Sequence, residues 1–150
     1  MVFTSLRDME ERLNDPDLEV SADSVLVLQN AGPVGAPGMP EAGMIPIPDK
    51  LLKQGVRDMV RLSDCRMSGT AFGTVLLHVA PEAAVGGPIG LIKNGDWIEL
   101  DVSERKLELL VSEEELIQRQ KEWTPPVFTD YKRGYPSLYR QHVQIGRAHV

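Results

Sequence analysis

Hydrophobic and polar positions divide this chain into short pieces. Residues 4–13 set Leu6, Met9 and Leu13 among charged neighbours, with Ser5 and Asp8 at capping-box spacing, which predicts a short amphipathic helix on the periphery. The apolar run 24–28, Ser-Val-Leu-Val-Leu, predicts a buried strand that enters a turn-rich loop over 30–38, Asn-Ala-Gly-Pro-Val-Gly-Ala-Pro-Gly. Pro48 at the start and Gly55 just past the end bracket a brief helix over 48–54. Residues 59–62 read as a short strand, 74–79 are β-rich, and 81–84 suggest a single helical turn. Asn94-Gly95 lies between apolar stretches 89–93 and 96–102, the signal of a β-hairpin, because both residues accept positive φ. A further strand follows over 106–111. Ser112 and Glu115 then form a capping box opening a helix that ends near Trp123, before Pro125-Pro126, and a last short helix is expected over 137–143.

Many short strands, few helices and a hairpin point to an α+β fold: a small β-barrel-like domain or sandwich with peripheral helices, not a parallel doubly wound sheet. With 150 residues, 42% of them hydrophobic and 25% charged, the chain has material for one globular domain. No apolar run approaches the ~20 residues that span a bilayer. The opening residues are charged throughout, so neither a membrane helix nor a signal peptide is expected, and the cytoplasm is the expected compartment. A net charge of −6 without clustered Lys and Arg argues against a nucleic-acid partner. Cys65 is alone, which excludes an internal disulfide and any multi-thiolate metal centre supplied by this chain by itself.

Two loops carry more Gly, Pro and polar residues than a plain turn requires: 30–41 and 63–73. Both follow predicted strands, where a rigid scaffold presents reactive groups and glycine lets a backbone approach a ligand closely. Ser68 precedes Gly69 in the second loop. Its hydroxyl is either presented to a substrate or bonded to its own turn, and as a base it needs a neighbouring metal or cation to stabilise the alkoxide. Glu41 ends the first loop. It is either a hard oxygen ligand of the kind Mg²⁺ prefers or a solvated surface carboxylate. His78 reads as a satisfied core or rim histidine, and Cys65, despite Arg66 beside it, as an inert small side chain. Arg61 and Arg66 are open between binding a substrate carboxylate and structural ion pairing, and Trp97 and Trp123 are expected to pack.

Residues 25–41 (Val-Leu-Val-Leu-Gln-Asn-Ala-Gly-Pro-Val-Gly-Ala-Pro-Gly-Met-Pro-Glu), 64–74 (Asp-Cys-Arg-Met-Ser-Gly-Thr-Ala-Phe-Gly-Thr) and 78–88 (His-Val-Ala-Pro-Glu-Ala-Ala-Val-Gly-Gly-Pro) resemble the C-terminal signature blocks of the dihydroxy-acid/6-phosphogluconate dehydratase family. Gly95-Asp96, residues 107–110, the Glu-rich helix, Pro125-Pro126 and Leu138-Tyr139 extend the similarity to about residue 143. The resemblance implies the family's swivelling C-terminal domain, in which a serine alkoxide removes the C2 proton of a 2,3-dihydroxy acid while a cluster iron acts on the departing C3 hydroxyl. By the motif the base maps to Ser68, a substrate-side residue to Thr70, and a Mg²⁺ ligand to Glu41. The Ser-Gly-Thr-Ala-Phe-Gly form is closer to the arabinonate and xylonate branch than to the branched-chain biosynthetic enzymes.

The resemblance further implies an iron–sulfur cluster, of the 2Fe–2S type, and Mg²⁺. The cluster cysteines and remaining Mg²⁺ ligands, including a carbamylated lysine, belong to an N-terminal domain of the same protein that lies outside residues 1–143. The chain alone is therefore expected to be inactive, and the full-length protein to be a homodimer or homotetramer acting on a small sugar acid, with no nucleic-acid or membrane partner. The alternatives are a dihydroxy-acid dehydratase of branched-chain biosynthesis and a non-catalytic sugar-acid-binding module. Residues 144–150, Gln-Ile-Gly-Arg-Ala-His-Val, depart from the family's Gly- and Asp-Phe-containing tail. They back-translate to CAG ATC GGA AGA GCA CAC GTC, which contains a common sequencing-adapter sequence, so a foreign tail is expected there; uninterrupted genomic codons at that place would refute it.

Overall fold

A computed structural model describes residues 1–128 and 132–143. The expected foreign tail lies outside them. The order is β1 (Val2–Phe3), α1 (Leu6–Arg12), β2 (Leu26–Leu28), α2 (Asp49–Lys53), β3 (Arg61–Ser63), β4 (Val75–Leu76), 3-10 turns at Ala83–Val85 and Pro88–Leu91, β5 (Ile98–Asp101), β6 (Lys106–Leu109), α3 (Glu113–Glu122) and α4 (Tyr135–His142).

The first four strands form one sheet in the order β1-β2-β3-β4, and every pairing is parallel: Val2 opposite Val27, Leu28 opposite Ser63, Arg61 opposite Val75. The expectation of a non-parallel architecture is corrected here, and its cause lies in the apolar run itself. Along β2, Leu26 and Leu28 enter one core with Phe3, Met9, Leu13, Ile45 and Leu51, while Val27 enters a second with Val2, Leu62, Ile89 and Ile92. A strand buried on both faces has no polar alternation, which is what a parallel sheet covered on both sides requires. The fold is α+β, with short strands and peripheral helices, and no barrel closes among the described residues.

The hairpin expected between 89–93 and 96–102 does not form, and the antiparallel pair lies farther along the chain. β5 and β6 pair antiparallel, Ile98 opposite Leu109 and Asp101 opposite Lys106, around a turn in which Arg105 N–H donates to the Val102 carbonyl at 3.3 Å. Asn94-Gly95 does turn the chain: Asp96 N–H donates to the Lys93 carbonyl at 3.2 Å, and Gly95 has φ 89°. The segment before it coils instead of extending, because Pro88 opens a 3-10 turn that puts Ile89, Leu91 and Ile92 into buried positions. Asn94 Oδ1 accepts from Val2 N–H at 2.6 Å, so this turn seals the end of β1.

The helix caps fall where expected: Ser5 Oγ accepts from Asp8 N–H at 3.1 Å and Ser112 Oγ from Glu115 N–H at 3.2 Å. Trp123 packs over Gly86, but Trp97 stands 78% exposed, contrary to expectation. Among the described residues no helix is long and apolar enough to cross a membrane.

α3 is fastened by Arg119, which donates to both oxygens of Asp96, at 2.5 and 3.0 Å, and to the Leu91 carbonyl at 3.0 Å. Burial opposes the charge on Asp96, but the Arg119 hydrogen bonds and the Lys93 N–H outweigh it and hold this carboxyl below its usual 3.8. A depressed acid stabilises the fold above its unfolded value and loses that contribution as pH falls through the folded one. Asp96→Asn is therefore expected to destabilise most at neutral pH, with the gap to the parent chain shrinking below pH ~3.8; urea unfolding at a series of pH values measures it.

Candidate functional site

In open parallel sheets ligands collect outside the carboxyl ends of the strands. β2 ends at Leu28 and β3 at Ser63, so loops 29–48 and 64–74 both leave that edge. They carry Glu41 and Ser68 respectively. Polar side chains at the strand ends fix where the loops begin: Ser63 Oγ donates to the Leu28 carbonyl at 2.9 Å and accepts from Cys65 N–H at 3.1 Å. Gln29 Nε2 donates to the Ile89 and Ile92 carbonyls at 2.7 and 3.1 Å, tying the start of the first loop to the second core.

Ser68 is half-buried, and its Oγ lies 2.9 Å from Thr70 Oγ1 and accepts from Thr70 N–H at 3.4 Å. Gly69 between them has open space around it. Glu41 is exposed and paired with Arg66, whose guanidinium donates to Glu41 Oε1 at 2.7 Å and to the Met39 carbonyl at 2.6 Å. Gly43 N–H in turn donates to the Arg66 carbonyl at 2.9 Å. Arg66 thus fastens the two loops together, two residues from Ser68. Among the described residues no hydrogen bond joins Glu41 directly to Ser68 or Thr70.

Arg61 is resolved as a structural cation: it is buried, donating to the Ile45 carbonyl and to Asp58, each at 2.8 Å. Cys65 is fully buried, and burial pushes its thiol pKa up, which fits the inert reading. His78 is exposed beyond the end of β4 with φ 54°.

Two residues escaped the sequence reading. Asp64, 0% exposed, accepts from Ala31 N–H and Ala83 N–H, each at 2.9 Å. Glu82, 4% exposed, accepts from Val34 N–H at 3.0 Å and Gly35 N–H at 3.0 Å. Burial raises both pKa values against the pull of these peptide N–H groups, and Asp64 adds repulsion at Glu82. The sequence held little sign of them beyond an acidic residue flanking each of two apolar stretches.

Among the described residues no group of three or more His, Cys, Asp or Glu gathers as a metal site. Glu41 supplies the hard oxygen that Mg²⁺ prefers, but as one donor already facing Arg66 it does not compose a Mg²⁺ site, and a single buried thiol does not compose an iron–sulfur site.

The family model described as dihydroxy-acid/6-phosphogluconate dehydratase, C-terminal, matches residues 1–148. A 6-deoxy-6-sulfo-D-gluconate dehydratase of Pseudomonas putida is 54% identical over 143 residues, covering 95% of this chain and 24% of the relative. An L-arabinonate dehydratase of Rhizobium leguminosarum bv. trifolii (strain WSM2304) is 50% identical over 144 residues, 96% of this chain and 25% of the relative. A dihydroxy-acid dehydratase of Prochlorococcus marinus (strain MIT 9301) is 42% identical over 143 residues, 95% and 25% respectively. The chain spans about a quarter of the length of the curated relatives it matches.

Proposed function

Because the chain belongs to the dihydroxy-acid/6-phosphogluconate dehydratase family, we propose that it is the serine-bearing part of a hydro-lyase that converts a 2,3-dihydroxy sugar acid, such as arabinonate or xylonate, to the 2-keto-3-deoxy acid. The observation that supports this most is the placing of the Ser68 hydroxyl, 2.9 Å from Thr70 Oγ1, on a loop at the carboxyl edge of the sheet and fastened through Arg66 to the loop of Glu41.

In the proposed reaction Ser68, as the alkoxide, takes the proton from C2. The electron pair left behind forms the C2–C3 double bond as the C3–O bond breaks, and the departing hydroxide takes the proton now on Ser68 Oγ and leaves as water, which restores the alkoxide. The resulting enol loses the proton of its C2 hydroxyl to solvent and gains one from solvent at C3, giving the keto acid. Thr70 donates its hydroxyl hydrogen to Ser68 Oγ, favouring the charged form and fixing its direction. Glu41 would offer one carboxylate oxygen to Mg²⁺, in exchange for its contact with Arg66. The iron–sulfur cluster and Mg²⁺, held mainly by residues outside those described, would supply Lewis acidity and charge stabilisation. The proposal extends to a cytoplasmic homodimer or homotetramer in which the chain's barrel-like, swivelling role is completed by the rest of the protein, and in which the chain alone is inactive.

Relatives named for sugar acids reach 54% identity and those named for dihydroxy acids 42%, which favours the sugar-acid reading. The test is a panel of arabinonate, xylonate, gluconate and dihydroxy-isovalerate offered to the full-length enzyme and to this chain alone. Keto acid from the sugar acids, from the full-length enzyme only, is the expected result. Preference for dihydroxy-isovalerate would transfer the protein to the biosynthetic branch. Tight sugar-acid binding by the isolated chain without turnover in either form would favour the binding module.

A further inference from the structure

We infer that Asp64 and Glu82 are positioning residues for this site: two buried carboxylates that set the loop leading to Glu41 against the strand end leading to Ser68. The inference rests on the dehydration reading above, since it assigns the pair a purpose within that site.

A buried carboxylate is costly unless its oxygens are satisfied, and the hydrogen-bond partners of these two are peptide N–H groups. Each uses its oxygens to join segments far apart in sequence. Asp64, directly after β3 and four residues before Ser68, holds Ala31 with one oxygen and Ala83 with the other. Three segments, those that follow β2 and β3 and the turn that holds Glu82, therefore meet at one side chain. A carboxylate suits this junction because it accepts at both oxygens, whereas an amide would turn a donor toward one of the N–H groups.

Glu82 continues the arrangement along the loop. Val34 N–H donates to both its oxygens, at 3.0 and 3.1 Å, and Gly35 N–H to Oε2 at 3.0 Å. The loop closes tightly on this carboxylate: a Cβ on Gly32 would lie 2.7 Å from Glu82 Oε2, and one on Gly35 2.4 Å from the Asn30 carbonyl oxygen. On its other side the Val34 carbonyl accepts from Arg140 Nε at 2.9 Å, so this peptide is gripped from both directions. Four residues past Gly35 the chain reaches Met39 and then Glu41, where Arg66 takes over.

A shift of about 1 Å in a reacting group costs on the order of 100-fold in rate. Glu82→Gln and Asp64→Asn keep size and shape but set an NH₂ against a peptide N–H, so the loop has to move. In the full-length enzyme each is expected to lower kcat at least about tenfold while KM changes less than about threefold. Leu13→Ala, a core change at the end of α1 that touches none of these hydrogen bonds, is expected to lower the melting temperature and leave kcat within about twofold, which separates positioning from mere stability. Should Asp64→Asn or Glu82→Gln fail to fold, Gly32→Ala, whose methyl would press on the carboxylate of Glu82, gives the same readout. A folded clamp variant with a kcat loss below about tenfold overturns the inference. Ser68→Ala, run alongside, keeps the two readings apart: turnover surviving that change refutes the serine base, whereas loop placement is read from the clamp variants relative to their own parent.

Discussion

Ser68→Ala in the full-length enzyme should lose about 10³-fold in kcat with little change in KM, the usual worth of a positioned general base. The substitution removes one oxygen from a half-buried turn and leaves the fold almost untouched, because the Ala71 N–H bond is to the Ser68 carbonyl, at 3.0 Å, and not to its side chain. Thr70 Oγ1 loses its 2.9 Å partner but lies at an exposed position where water replaces it. A large loss of turnover with unchanged thermal unfolding is therefore the expected pair of results. Thr70→Val should fall in the same direction by a smaller factor, since Thr70 N–H still reaches Ser68 Oγ.

The largest structural effect is expected at Gly87→Ala. A Cβ there would sit 1.7 Å from the Pro81 carbonyl oxygen, 2.3 Å from its carbon and 2.8 Å from the Glu82 carbonyl oxygen. All three are backbone atoms, and Gly87 N–H already donates to the Glu82 carbonyl at 2.9 Å, so no side chain can swing away to make room. Relief requires the turn that carries Glu82 to open, at a cost of about 3 kcal/mol and about 10 °C in melting temperature. Gly69→Ala is the contrasting case, since nothing lies within 4 Å of its Cβ position, and thermal unfolding should barely change. Thermal scans of the two variants beside the parent chain decide it.

What the sequence disclosed, and what it concealed, follows from the range of the interactions. Caps are local, so Ser5 and Ser112 marked α1 and α3 within a residue or two. β1, with only Val2 and Phe3, is too short to carry any periodicity and owes its existence to pairing with residues more than twenty positions away. The Asn94-Gly95 turn was legible, but its partner strand was not, because burial of Ile89 and Ile92 against the sheet outweighed the local preference for a hairpin. The solid apolar run at β2 pointed to a parallel sheet covered on both faces, which the expectation of a barrel-like domain or sandwich, not a parallel doubly wound sheet, did not draw from it.

The site divides in the same way. Ser68, Thr70 and Glu41 came from a motif, and the structure brings their loops side by side through Arg66, a cation that residue pattern alone left undecided. Asp64 and Glu82 act across 33 and 48 positions of sequence, on Ala31 and Val34, so no local pattern could expose them.

The central claim, that this chain supplies the base, is tested most directly by substrate deuterated at C2. The full-length enzyme should release that deuterium to solvent as keto acid forms, while the Ser68→Ala enzyme, binding the same sugar acid with undiminished affinity, should leave it in place. Deuterium lost from C2 at the parent rate in the Ser68→Ala enzyme would contradict the account.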